Sequence, residues 1–344
     1  MFLDELRHPI VQAPMAGGGS TPVLVAAVSN AGGLGFLAAG YLTADAVREQ
    51  IHATRELTDG PFGVNIFVPD TSRVDGPALA RYRDRLATEA RRYRVELGEA
   101  FDDDDGWAGK LAVVREERVP VVSFTFGCPD PGVVVELRDA GCAVVVTVTS
   151  ADEAVEAVAA GADALVVQGA EAGAHRGTFH NVDPIDDTGL LPLLRKVCTA
   201  VDVPLIAAGG LSAGADVAAV LVAGARAAQL GTMFLLCPEA GTNPLHRAAL
   251  RPAGRTAVTR AFTGRPARGL VNRFLAEHSA AAPAAYPHVH HLTRPLRAAG
   301  DPEAMSLWAG QAHEFAREVP AASLVVTLAA DARRAIDEAA RRFS

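Results

Sequence analysis

The stretch Pro204-Leu205-Ile206-Ala207-Ala208-Gly209-Gly210-Leu211-Ser212 and its continuation Ala227-Ala228-Gln229-Leu230-Gly231-Thr232 decide the fold. Two apolar runs, 204–208 and 227–231, end in Gly-Gly and Gly-Thr. Residues 212–223 between them have a helical period, with Val217, Val220 and Leu221 on one side. Strands that are apolar almost throughout belong to a sheet covered on both faces, and a strand–helix–strand order implies a right-handed parallel crossover.

The same alternation extends back toward the N-terminus. Apolar runs at 10–15, 34–39, 62–68, 119–126, 143–149 and 164–168 complete a set of eight. Helical segments separate them. One opens at Ser20 or Thr21 with Pro22 in its first turn, and another opens at Thr43 with Val47, Ile51 and Thr54 on one face. Ser150-Ala151-Asp152-Glu153 has the form of a capping box. Eight such units predict an α/β fold, a (β/α)8 TIM barrel. The alternative, a doubly wound open sheet, would carry GxGxxG after its first strand. The exit here reads Met15-Ala16-Gly17-Gly18-Gly19.

The rhythm breaks twice. Residues 70–115 are rich in Arg, Glu and Asp, with a charged helix expected over 77–97 and the acidic run 102–105 read as a solvated loop. Residues 246–304 carry many Pro, Arg and His with little periodicity, and a helical pattern returns over 320–342. The expected organisation is a barrel of 1–69, 116–245 and 305–344, with a second, smaller, mostly helical domain formed from the insertions 70–115 and 246–304.

Composition narrows the function classes. The 344 residues are 49% hydrophobic and 21% charged, with a net charge of −8. That balance excludes general phosphate-backbone binding, so no nucleic-acid partner is expected. No apolar run is long enough for a membrane helix, and the first nine residues lack a signal core. Four scattered cysteines suit a reducing, cytoplasmic setting and give neither a disulfide framework nor a zinc site.

In a barrel, chemistry sits at the C-terminal ends of the strands. Gly209-Gly210 and Gln229-Leu230-Gly231-Thr232 at adjacent strand ends offer backbone N–H groups without obstructing side chains, as a phosphate cradle requires. After the sixth strand, Gln168 to Gly177 is a small-residue loop with His175 as its one imidazole, able to exchange a proton near neutral pH. Met15 and Asn65 close the set at the first and third strands. The His288-Val289-His290-His291 run lacks a spaced carboxylate or Cys and reads as surface or cleft histidines, with no metal expected. Cys128 has no paired base. Arg265 and Arg268 are anion binders or surface charges, and Trp308 is packing.

Taken together, these segments resemble the nitronate monooxygenase family, formerly the 2-nitropropane dioxygenases. The resemblance runs through Pro9 to Gly18, Asn30 to Gly35, Gly63-Val64-Asn65, Gln168 to Gly177, Ala207 to Gly210, Gln229 to Phe234, Gly264 to Arg268 and Leu307 to Gln311. It implies a TIM barrel with a small substrate domain and a non-covalent FMN. It also implies oxidation of alkyl nitronates with O2 to carbonyl compounds and nitrite. By motif, Gly210 and Gln229, Leu230, Gly231 and Thr232 would hold the FMN phosphate region, with Gly209 beside them. Asn65, Gln168 and Gly173 would contact the rest of the flavin, Met15 would lie against its ring, and His175 would be the catalytic base. A pKa near neutrality would let His175 also stabilise the nitronate when protonated. A homodimer is common for such barrels.

Two positions depart from the family pattern. Ala174 stands where many relatives have Gly, and His290 follows Tyr286-Pro287 where one bacterial class has Asn. Related barrels include NAD(P)H-dependent flavin reductases of the enoyl-ACP and quinone types, which share the flavin-site residues. A non-redox phosphate-ligand barrel is a further alternative, distinguished by the absence of flavin colour.

Overall fold

The apolar runs become strands β1 (Ile10–Gln12), β2 (Leu34–Ala38), β3 (Phe62–Phe67), β4 (Val121–Thr125), β5 (Ala143–Val148) and β6 (Ala164–Gln168). A two-residue β7 (Ala174–His175) follows, then β8 (Leu205–Ala208), β9 (Ala227–Leu230), β10 (Thr256–Thr259) and β11 (Ala267–Leu270). The computed structural model describes residues 2–70, 73–251 and 254–343. Strands β1 to β6, β8 and β9 pair in parallel in sequence order, and β9 returns to β1 through Ile10↔Ala228 and Val11↔Gln229, closing an eight-stranded barrel.

Alternation of side chains along the strands sets the layers. Val11, Phe36, Val121, Val145, Val166 and Ile206 form one buried cluster, and Leu3 joins it. Their sequence neighbours Ile10, Leu37, Val122, Val146, Leu165 and Leu205 belong to other clusters that include helix residues. A strand apolar at every position is what this two-sided burial requires. Local signals in the sequence hold. Thr21 caps the helix Pro22–Asn30 by accepting from the Leu24 N–H, and Val47, Ile51 and Thr54 are buried together on Ala44–Arg55. Ser150 caps Ala151–Ala159, but the Glu153 carboxylate turns to the Thr149 N–H and the Phe179 N–H instead of completing a reciprocal box.

The two insertions share a core. Tyr82 and Leu86 of the helix Gly76–Tyr93 pack with Phe262, Phe274, Val289, Leu292 and Leu296. The Tyr82 hydroxyl donates to Ala261 O at 2.7 Å, and Arg273 grips both oxygens of Glu89 at 2.6 and 2.9 Å. The boundary expected at 115 falls inside the helix Trp107–Glu116, whose Val113 and Val114 belong to a barrel cluster. Likewise Leu250, near the end of Pro244–Leu250, packs with the barrel.

Asp102 to Asp104 of the acidic run are exposed, as expected of a solvated loop, while Asp105 is half-buried. Asp105 accepts from the Tyr41 N–H at 2.8 Å and lies 2.7 Å from the fully buried Lys110 ammonium. Asp103 meets His291 at 3.1 Å and Asp102 meets His288 at 3.5 Å, so this run is fastened to the helix His288–Arg297. No helix among the described residues is long and apolar enough to cross a membrane.

Candidate active site

A cavity of about 430 Å³ opens at the C-terminal ends of the strands, within the size range of cofactor and small-ligand sites. The cavity wall brings together all eleven residues singled out in the sequence: Met15, Asn65, Gln168, Gly173, His175, Gly209, Gly210, Gln229, Leu230, Gly231 and Thr232.

His175 is placed by a sheet that the sequence did not disclose. Strand β7 pairs antiparallel with β11 through Ala267↔His175, and β11 pairs with β10. Gln168 clamps the loop from below, its amide donating to His175 O at 3.0 Å and accepting from the Gly177 N–H at 2.8 Å. The buried Arg176 guanidinium adds bonds to Gln168 O and Gly169 O at 2.9 and 2.7 Å. Ala174 has φ +63°, in the left-handed region that favours glycine, which accounts for the glycine common there in the resembling family.

The imidazole lies among aromatic rings, with centroids 5.4 Å from Phe126, 6.1 Å from Tyr286 and 5.5 Å from Trp308. Its Nε2 meets Thr263 Oγ1 at 2.9 Å, and Nδ1 has no hydrogen bond to the chain among the described residues. Burial, together with the nearby Arg265 and Arg297 guanidinium groups, pushes the His175 pKa down to about 3. The imidazole is therefore neutral at pH 7. This corrects the expectation of a near-neutral pKa and removes a protonated His175 as a partner for an anion.

Arg265 and Arg268 are not surface charges. Arg265 is fully buried, pairs with Asp70 at 2.8 Å and lies 4.2 Å over the Phe126 ring. Arg268 donates to Ala170 O at 2.9 Å. Trp308 does more than pack, since it lines the cavity. The Cys128 thiol is half-buried, and burial pushes it up to about 11. Glu89, Glu277 and His278 lie close enough together to hold a metal, but Arg273 already bridges both carboxylates.

The glycine-rich ends are built for close approach. Gly209 and Gly210 have φ +123° and +70°, and their N–H groups, with those of Gly231 and Thr232, have no acceptor among the described residues. The Gln229 side chain lines the cavity, and neither its amide nor the buried Thr242 hydroxyl has a hydrogen-bond partner among the described residues. Gly173 serves packing: a Cβ there would lie 2.5 Å from Gly310 N. The neighbouring Gln311 N–H bonds Glu171 O at 3.0 Å.

The sequence offered no role for Thr263 or Arg297, which line this cavity, while His290, noted beside Tyr286 as a departure from the family pattern, lines it too, with Phe126. A signal existed for part of the set. His290, Thr293 and Arg297 stand at i, i+3 and i+7, one face of a helix beside the apolar Val289, Leu292 and Leu296.

A closed parallel barrel with a proton-accepting imidazole over a cradle of free N–H groups defines an enzyme of the (β/α)8 class. The model of the family "Nitronate monooxygenase" matches residues 2–331, and the chain belongs to that family. Nitronate monooxygenase from Paraburkholderia phytofirmans is 40% identical over 97% of this chain and 94% of its own. The solved nitroalkane oxidase from Streptomyces ansochromogenes is 53% identical, with a TM-score of 0.95, covering 97% of this chain and 98% of its own. FabK from Thermotoga maritima has a TM-score of 0.78 at 29% identity, covering 99% and 97%.

Proposed function

We propose that this chain oxidises alkyl nitronates with O2, giving a carbonyl compound and nitrite, with FMN as its cofactor. The observation that carries the reading is the neutral His175, held through Nε2 with Nδ1 free, on the same cavity as the four unused N–H groups. These groups fit a flavin phosphate: Gly209, Gly210, Gly231 and Thr232 would donate to it. The Gln229 amide and Thr242 hydroxyl supply further donors without partners among the described residues. Asn65 keeps its amide nitrogen on Ser123 Oγ and Thr125 Oγ1, at 2.9 and 3.0 Å, which turns its carbonyl oxygen free for a ligand. When bound, FMN would supply the electron transfer between nitronate and dioxygen that no side chain can perform.

The protein's own part is proton transfer and orientation. His175 Nδ1 would take the α-proton of a neutral nitroalkane, and Phe126, Tyr286 and Trp308 would shape an apolar pocket around the alkyl chain. The shared core of the two insertions supports reading them as a small substrate-covering domain, from about residue 73 to 98 and 256 to 304. The reducing, cytoplasmic setting remains part of the same reading.

The test is anaerobic. The purified protein, reconstituted with FMN, is mixed with propionate 3-nitronate and, separately, with NADH. Bleaching of the flavin band by nitronate and not by NADH is expected. Bleaching by NADH alone would make the chain a reductase. A colourless protein that takes up no FMN would overturn the cofactor assignment.

A further inference from the structure

We propose that Arg297 is the anion anchor of this cavity, gripping the two oxygens of the nitro group that carry the nitronate's negative charge. The inference rests on the nitronate reading and names the residue that recognises the charge.

Arg297 ends the helix His288–Arg297 and lines the cavity. Its Nε donates to Thr293 Oγ1 at 3.1 Å and its Nη2 to His290 O at 2.8 Å. Both acceptors lie on its own helix, so the guanidinium is held in a set orientation. Nη1 has no acceptor from the chain among the described residues. Nor does any carboxylate there lie within ion-pair distance of Arg297. Its neighbours in the cap differ: Arg265 has Asp70 at 2.8 Å, Arg273 has Glu89 at 2.6 Å and Arg260 has Asp183 at 2.7 Å.

The groups around Arg297 leave its charge uncompensated. Tyr41 stacks 4.3 Å from His290, and the Tyr41 and Tyr286 phenols are held protonated by burial. His290 and His175 are both neutral imidazoles. A half-buried cation without a counter-ion is unfavourable, and a ligand that brings the counter-charge removes that cost. A guanidinium fork matches a planar anion with two oxygens. A nitronate is such an anion. Its charge also appears only as the α-proton leaves, so the same residue favours deprotonation by the neutral His175.

The experiment uses the FMN-loaded protein and two unreactive planar oxyanions, nitrate and nitrite. Flavin difference spectra are titrated for the wild type, Arg297→Met and Arg297→Lys, alongside flavin content and steady-state KM and kcat for ethylnitronate. Arg297→Met should keep its flavin, and should weaken nitrate binding and raise KM about 10- to 100-fold, as for losing a charged hydrogen bond. Arg297→Lys should lose less, and it serves where the methionine variant does not fold. Unchanged nitrate affinity and KM in both variants would overturn the proposal, and so would loss of flavin from a folded variant. A wild type that binds nitrate through Arg297 but is not bleached by nitronate would sink the nitronate reading and leave the anion site standing.

Discussion

His175 Nε2 and Thr263 Oγ1 lie 2.9 Å apart, and the same hydroxyl reaches Arg265 O at 3.2 Å. A hydroxyl has one proton. With that proton on Arg265 O, the shorter contact is an Nε2–H donating into Thr263, and Nδ1 carries the free lone pair. Thr263→Val removes the group that holds this tautomer. Turnover of neutral nitroethane should fall about 10- to 100-fold, part of what a positioned base contributes. His175→Asn should lose the full ~10²–10⁴. Both variants should keep flavin and act better on preformed nitronate than on nitroethane. Equal losses on the two substrates would remove His175 from proton transfer.

Ala174 at φ +63° carries a side chain where glycine is free of strain. The left-handed conformation costs an alanine about 1–2 kcal/mol, offset by the ~0.5–1 kcal/mol a glycine loses in chain entropy. Ala174→Gly should therefore stabilise the fold by about 0.5–1 kcal/mol, read from urea denaturation. A lower urea midpoint would mean that the methyl group makes contacts worth more than the strain.

Arg265 and Asp70 form a buried ion pair at 2.8 Å, with side chains 0% and 4% exposed. Asp70→Asn strips the counter-charge from a cation that water cannot reach, and should cost about 3–5 kcal/mol. The double variant Arg265→Met/Asp70→Leu should recover much of that loss. Thermal melts of the wild type and the two variants decide it, and a double variant less stable than Asp70→Asn would show that the pair is not coupled.

Acid should weaken the fold in a defined window. Burial and the Arg297 charge hold His290 down to about 2, and burial with Arg265 and Arg297 holds His175 down to about 3. Unfolded histidine takes its proton near 6.5. Below that pH the unfolded chain binds more protons than the folded one, so stability is complete above about 6.5 and falls toward the folded values. For the buried His290 the limiting slope is about 1.4 kcal/mol per pH unit. Denaturant midpoints between pH 8 and 5 should be level, then decline, and His290→Gln should flatten the decline by one proton. A midpoint unchanged at pH 5 would contradict neutral imidazoles in the folded state.

The barrel was legible because two-sided burial writes itself into every residue of a strand. The runs at 164–168 and 204–208 coincide with β6 and with all of β8. The glycine cradle was legible for a related reason, since backbone donors need bare strand ends. The cap was not. Strands β7, β10 and β11 are two to four residues long, and the placement of His175 depends on a pairing across 92 positions to Ala267. Such a contact leaves no local period. The acidic run reads as solvated and the histidine run as surface or cleft, and only the fold reveals that Asp103 and His291 meet. His175 itself was found from its loop, but its charge state depends first on burial by the folded chain and then on Arg265 and Arg297, which are remote in sequence.

One buried cluster joins Tyr82 and Leu86 to residues between Ala261 and Leu296, and the Tyr82 hydroxyl bonds a carbonyl 179 positions away. During synthesis the chain emerges N-terminus first, at about 5–20 residues per second. The eight barrel strands are complete once Leu230 has appeared, well before Arg297. For that interval the helix Gly76–Tyr93 exposes apolar side chains whose partners do not yet exist. Most partners of Tyr82 and Leu86 are thus made only after every strand of the barrel.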